Sequence, residues 1–200
     1  MRRIWGIACA SLLLPSLWVA LSFANAAQLP SARKEYRNAR WGFCVNYPGN
    51  WRAEEGTDKG GASIYAPEQN NAVSIAAGAL RNQPRWTLTG DLEDERPMTL
   101  EDNVQAFLKA SNQIGESQAE VVTNRPVSLD GTPAREVTVV YRKSGTAWKS
   151  ESVVSLKGSG FYVLSLTCPS STCGRYEDGF QRALPSFSFN CQQPLGLQRR

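Results

Sequence analysis

Cysteine is the residue type in this sequence best equipped for nucleophilic or metal chemistry, because the 200-residue chain contains no histidine. Without an imidazole base, the usual serine and cysteine triads cannot be built, and zinc sites that need histidine are excluded. One cysteine, Cys9, lies in an apolar N-terminal run. The other four are Cys44, Cys168, Cys173 and Cys191.

An even number of cysteines in an exported chain favours two disulfides, with three possible pairings. A four-thiolate zinc site usually shows two close pairs, whereas here only Cys168 and Cys173 are close. These two residues flank the short turn "PSST", so we predict that they bond to each other. Cys44 would then bond Cys191 and tie the first core strand to the tail. We predict no metal site.

Catalytic patterns are weak. Ser31-Ala32-Arg33-Lys34 matches S-x-x-K, but it lies in a polar leader without partner motifs. The acidic run at 91–95 lacks the spaced ligands and the glycine of a calcium loop, which favours a solvated loop. No Gly-rich phosphate loop occurs, and no carboxylate pair is framed by aromatic platform residues. We predict no catalytic residue, no cofactor and no enzyme activity.

A contact surface is the remaining kind of site. The strands "AREVTVVYRK" and "AWKSESVVSLK" flank Ser144-Gly145, which predicts a hairpin. Its tip would gather a candidate partner-binding set, namely Arg142, Lys143, Trp148 and Lys149. Basic residues around an aromatic are common in binding hot spots. The alternative is that Trp148 packs on Tyr141 as a cross-strand pair, with solvated lysines around it.

The N-terminus has the pattern of a signal peptide. Arg2 and Arg3 precede the apolar run Ile4–Phe23, and Ala24-Asn25-Ala26 gives a small-x-small cleavage site. No later window is apolar enough to span a bilayer. The formal charge of +4 includes the two arginines of the signal peptide, and the +2 that remains after cleavage is too nearly balanced to support nucleic-acid binding. We therefore predict a periplasmic or secreted protein with four segments: signal peptide 1–26, flexible leader 27–35, a single domain 36–191 and tail 192–200.

Strands dominate the elements that would position these residues. In "YRNARWGFCVNYPGNW", Trp41, Phe43 and Tyr47 alternate with smaller or polar residues, and Trp51 follows a Pro-Gly-Asn turn. We predict that these aromatics fill the core. Residues 72–80 ("AVSIAAGAL") suit a strand closely covered by a helix, and 81–98 look irregular.

Two helices complete the pattern. One begins at the capping box Thr99–Asp102, and the other precedes Pro185. Pro126 bends the strand 121–129 or places it at a sheet edge. The order of strands, helix, strands and helix predicts an α+β fold, with helices covering an antiparallel sheet.

Several segments resemble the PsbP-like superfamily in the right order. "GFCVNYPGNW" resembles its first strand, "LDGTPAREVTVVYR" its turn and strand, "GFYVLSLTCP" its central strand, and "YEDGFQRALPSFSF" its closing helix. The resemblance spans Tyr36 to Phe189 and implies an α/β/α sandwich around a central, mostly antiparallel sheet. Because the chain has no histidine, histidine metal ligands of the photosynthetic branch cannot be carried over.

The superfamily contains photosystem II subunits, bacterial envelope proteins and effector chaperones, which bind other proteins without catalysis. The resemblance therefore implies an exported, non-catalytic binding or accessory protein of the bacterial cell envelope, acting through contacts with an unknown protein partner. An effector chaperone or adaptor is the alternative, and a carboxylate-based hydrolase is less favoured because fold does not dictate function.

Overall fold

The structure is a computed structural model that describes residues 32–67, 72–82, 84–86, 92–115 and 119–191. The predicted signal peptide, the start of the leader and the tail lie outside these residues. The described elements are β1 Arg33–Asn38, β2 Phe43–Pro48, β3 Arg52–Glu55, β4 Gly61–Tyr65, β5 Ser74–Arg81, β6 Pro84–Trp86, β7 Leu92–Pro97, α1 Leu100–Ile114, β8 Glu120–Leu129, β9 Thr132–Lys143, β10 Thr146–Lys157, β11 Gly160–Pro169, α2 Gly174–Ala183 and a 3-10 turn Leu184–Ser186.

The main sheet has seven strands in the order β3-β4-β5-β11-β10-β9-β8, and all its pairings are antiparallel. Two-residue turns join its long strands. Asp130-Gly131 links β8 to β9 and Ser144-Gly145 links β9 to β10, and all four turn residues have positive φ. Such turns match the right-handed twist of hairpin strands. The mostly antiparallel sheet with two helices confirms the predicted α+β fold.

The first core cluster fills one face of the main sheet. β11 contributes Tyr162, Leu164 and Leu166 to it, while β2 and α2 pack from above. The predicted core aromatics are there: Phe43 is fully buried, Tyr47 and Trp51 are nearly so, and Trp41 packs at the margin. The opening stretch is therefore structural, as its alternation predicts.

The second core cluster lies on the opposite face, because alternate residues of a strand point to opposite sides. Phe161 and Val163 of β11 belong to it, with valines of β9 and β10. α1 covers it with Val104 and Phe107. The predicted capping box is confirmed, because Thr99 Oγ1 accepts a hydrogen bond from Asp102 N and Asp102 Oδ2 accepts one from Thr99 N.

The closing segment 186–191 runs beside β2 and seals the first cluster. Cys44 pairs with Ser188 in a β-bridge and is bonded to Cys191, with Cα atoms 5.7 Å apart. Phe187 stacks on Phe43, with ring centroids 5.5 Å apart. Ser186, the last residue of the 3-10 turn, links this segment to β2, because its Oγ accepts a hydrogen bond from Asn46 N at 2.9 Å.

Three details differ from the sequence expectations. β1 begins at Arg33, inside the predicted leader 27–35, because its backbone pairs with β2 along its whole length. Residues 81–98 are not wholly irregular, since β6 and β7 pair as a shifted hairpin. α1 packs on β9 and β10 rather than closely covering β5.

The edge strand β8 carries Pro126, as expected for a proline in a sheet. Pro126 lacks an N–H, and a bulge interrupts the register between Val121 and Thr123. Both features disfavour pairing with a further strand. Val121 and Val122 are nevertheless 47% and 59% exposed.

Replacing Phe43 with Ala should lower the free energy of unfolding by about 3–5 kcal/mol, because a fully buried ring would leave a cavity. Denaturant unfolding measures it. Val122→Ala, at a side chain 59% exposed, is the control and should change stability by less than about 0.5 kcal/mol. An unchanged melting temperature for Phe43→Ala would show that the opening stretch is not the core.

Cys168 is bonded to Cys173, across a sequence separation of 5, against 147 for Cys44 and Cys191. Non-reducing peptide mapping should find these two pairs. Because the longer loop restricts the unfolded chain more, changing Cys44 and Cys191 to Ser should cost about 4–5 kcal/mol, and changing the other pair about 2 kcal/mol. A peptide linking Cys44 to Cys168 or Cys173 would contradict the assignment.

Candidate binding site

The structure divides the four residues predicted at the hairpin tip between the two faces of the sheet. Trp148 lies directly opposite Tyr141, and both pack in the second cluster. Arg142 turns back to donate a hydrogen bond from Nη2 to Gly145 O at 3.2 Å, and Lys143 is exposed. The cross-strand pair that the sequence offered as an alternative is present, so the tip does not present Trp148 as an isolated aromatic.

Lys149 lies on the opposite face from Trp148, in what we call the charge cluster: Lys149, Glu151 and Glu177. Its Nζ lies 2.9 Å from Glu177 Oε1 on α2 and 3.7 Å from Glu151 Oε2 on its own strand. Burial alone would lower the pKa of Lys149, but the hydrogen bond to Glu177 and the charge of Glu151 outweigh it, so the pKa is raised. Lys149 therefore joins α2 to the sheet.

Glu151 is the member of the charge cluster whose ionised form the surroundings disfavour. Its side chain is only 14% exposed, and Oε2 is buried without a hydrogen-bond partner. Burial raises the pKa of Glu151, Lys149 offsets this only in part, and the charges of Glu177 and Glu136 raise it further. Glu136 itself is bonded to Arg125 on β8 at 2.8 Å.

An open groove of about 270 Å³ lies on the other face, over β4, β5 and β11. Its floor is made of small, partly exposed residues. They are Gly61 and Ser63 on β4, and Ala76 and Gly78 on β5. Gly61 and Gly78 are paired across the two strands. A Cβ on Gly61 would lie 2.2 Å from Ala77 O, so the close approach of the backbones requires glycine there.

Larger side chains form the walls of the groove. Phe161 and Val163 close one side, where they continue into the second core cluster beneath α1. Leu80, which is 56% exposed, stands directly opposite Phe161 in the register of the two strands. The groove is therefore an apolar extension of the second core.

The rim of the groove carries Asp58 in the turn between β3 and β4. Asp58 Oδ1 accepts a hydrogen bond from Gly60 N at 2.9 Å. Within the described part of the chain, Asp58 makes no ion pair and is the only ionisable residue in the lining. Its backbone oxygen accepts a hydrogen bond from Arg40 Nη1 at 2.7 Å.

The sequence missed this groove. In "AVSIAAGAL" the inward Ala77 and Ala79 are no larger than the outward Ala76, so the pattern does not tell a covered face from an open one along this part of the strand. Over the described residues there is no group of three His, Cys, Asp or Glu side chains that could hold a metal ion. No helix in the same residues is long and apolar enough to cross a membrane.

Replacing Glu151 with Gln should raise the melting temperature at pH 7. The folded state holds the Glu151 proton more tightly than the unfolded chain, so stability is greatest below the ordinary pKa of 4.5 and is lost as the pH rises through the raised value. The difference between variant and wild type should vanish below about pH 4.

Melting curves between pH 4 and pH 8 provide this comparison. Asp178→Asn, at a side chain 90% exposed, is the matched control and should move the midpoint little at either end of the range. If Glu151→Gln is less stable than wild type at pH 7, the attraction to Lys149 exceeds the cost of burying the carboxylate.

The chain is similar to solved structures of three bacterial proteins. Cyanobacterial PsbP (CyanoP) from Synechocystis sp. PCC 6803 is 16% identical with a TM-score of 0.58, and the alignment covers 84% of this chain and 98% of that chain. PA94 from Pseudomonas aeruginosa, a putative regulator, is 14% identical with a TM-score of 0.49, covering 82% and 99%. LpqN of Mycobacterium tuberculosis, involved in cell envelope biogenesis, is 13% identical with a TM-score of 0.47, covering 81% and 86%.

No match is found among curated proteins. At its level of identity, the similarity to the cyanobacterial protein establishes a shared fold. The PsbP family profile matches residues 31–189, which include every strand and helix described above. The chain belongs to the PsbP family.

Proposed function

We propose that this chain is an exported, non-catalytic accessory protein of the bacterial cell envelope that acts by binding another protein. The groove is the observation that carries the proposal. It is open, its lining is mostly apolar or small, and Asp58 is the one ionisable side chain in the described lining. Acid–base catalysis usually needs at least one group with a suitably tuned pKa beside the substrate, and typically two.

The charge cluster does not make a better catalytic site. Lys149 and Glu177 neutralise each other at 2.9 Å, and the buried Oε2 of Glu151 is shielded from solvent. The raised pKa of Glu151 has a structural cause in burial. Family membership also favours binding over catalysis, since PsbP-like proteins are generally non-enzymatic.

Export is supported by the two disulfides, because such bonds persist in oxidising compartments. The N-terminal pattern of positive, apolar and small-x-small segments points the same way. The α/β/α layering that the resemblance implies belongs to this proposal as well. It is supported by α1 packing in the second cluster and α2 in the first.

Site-specific photo-crosslinking in the native cell envelope tests the proposal. A photoreactive amino acid at Leu80, on the groove wall, should form an adduct with one protein partner. The same residue at Lys143 tests the hairpin tip, and at Asp178, 90% exposed on α2, it provides the control. An adduct at Lys143 alone would show that the partner contacts the hairpin tip rather than the groove. The absence of protein adducts at all three positions would refute the proposal.

A further inference from the structure

We infer that the groove receives a polypeptide segment that presents one bulky apolar side chain next to a lysine or arginine. This inference rests on the proposed function, since it names the chemistry of the protein partner at the same groove. The apolar side chain would enter over Gly78, beside Leu80 and Val163, and the cation would face Asp58.

The size of the groove favours a side chain over a free ligand. Pockets for drug-sized molecules run from roughly 300 to 1,000 Å³ and enclose most of their ligand. The groove has about 270 Å³ and is open, so it fits one anchor whose remaining contacts come from a larger surface. Aromatic and aliphatic anchors in pockets of this kind supply most of the binding energy at protein interfaces.

The floor of the groove determines its depth. Gly61 and Gly78 lie opposite each other, and a Cβ on Gly78 would meet only Gly60 O at 3.8 Å and Gly61 Cα at 3.9 Å. The space above Gly78 is therefore open, since no neighbouring atom of the described residues fills it. Leu80 is exposed on the wall although it is a large apolar side chain, and an anchor in the groove would cover it.

The charge at the rim selects the residue beside the anchor. Asp58 is the single charge in the described lining, and its carboxylate has no cationic partner there; the Arg40 guanidinium, outside the lining, donates to the Asp58 backbone oxygen at 2.7 Å. A lysine or arginine next to the anchor would supply that partner, whereas an acidic residue would be repelled. Because this charge is exposed, it contributes selectivity of a few-fold rather than most of the affinity.

Titration of the full chain with short peptides tests the inference. The probe is acetyl-Gly-Gly-Trp-Arg-Gly-Gly-amide, and its two matched versions carry Gln in place of Arg or Ala in place of Trp. In amide NMR spectra, the first should shift Gly61, Gly78 and Leu80. Its affinity should be about twofold to fivefold higher than that of the Gln version, and about tenfold or more higher than that of the Ala version.

Variants of the protein locate the two parts of the site. Gly78→Leu fills the groove and should weaken the Trp-Arg peptide by about tenfold or more, whereas Gly78→Ala should weaken it less. Ser128→Leu, which adds the same side chain at an exposed position on β8, is the control and should have no effect. Asp58→Asn keeps an acceptor for Gly60 N and should abolish the preference for Arg over Gln.

The inference is overturned if no peptide shifts the groove residues, if Gly78→Leu binds as well as wild type, or if Arg and Gln peptides bind wild type equally. Asp178→Asn controls for a general loss of negative charge and should retain the preference. Protein adducts in the envelope together with failed peptide binding would refute the inference and leave the proposed function standing. Groove-specific peptide binding without any envelope adduct would refute the proposed function alone.

Discussion

The packing of the closing segment against β2 is the contact on which the rest of the structure depends. Phe187 and Phe189 enter an aromatic group around Phe43 and Tyr162, with ring centroids 4.8–6.4 Å apart. The disulfide from Cys44 holds this segment from one side. Asp130, in a distant turn, accepts a hydrogen bond from Phe189 N at 2.8 Å on the other. One aromatic group thus joins the first strands, the central strand and the end of the domain.

This closure makes the two faces of the sheet unequal. The first cluster is covered by a strand hairpin, a helix and the closing segment, and it contains most of the large buried side chains. The second cluster has α1 over β9 and β10 but leaves small residues of β4 and β5 partly exposed. Packing on the first face holds the sheet together, and an apolar groove stays open on the second.

Electrostatics follow the same division. The cations that the sequence grouped at the hairpin tip are separated by strand alternation, since Trp148 and Lys149 are neighbours in the chain and must point to opposite faces. Lys149 is engaged by Glu177 and Glu151, at the cost of a mostly buried carboxylate on Glu151. Within the described residues, the lining of the groove carries one ionisable side chain, that of Asp58, so the charge of the lining is negative.

The sequence by itself determined the features that depend on interactions between residues close together in the chain. The alternation of Phe43 and Tyr47, the capping box at Thr99 and the turns at Asp130-Gly131 and Ser144-Gly145 all depend on neighbours within a few residues. For Pro126 the sequence allowed either a bend in the strand or an edge position, and the strand order of the sheet placed it at the edge. Only the tertiary structure decided which part of the sheet α1 covers, because the small residues of β5 suit a covered and an open face equally. It also decided the partners of Lys149 and the position of Asp58 at a groove. Those depend on elements distant in sequence, whose relative placement is set by the whole core.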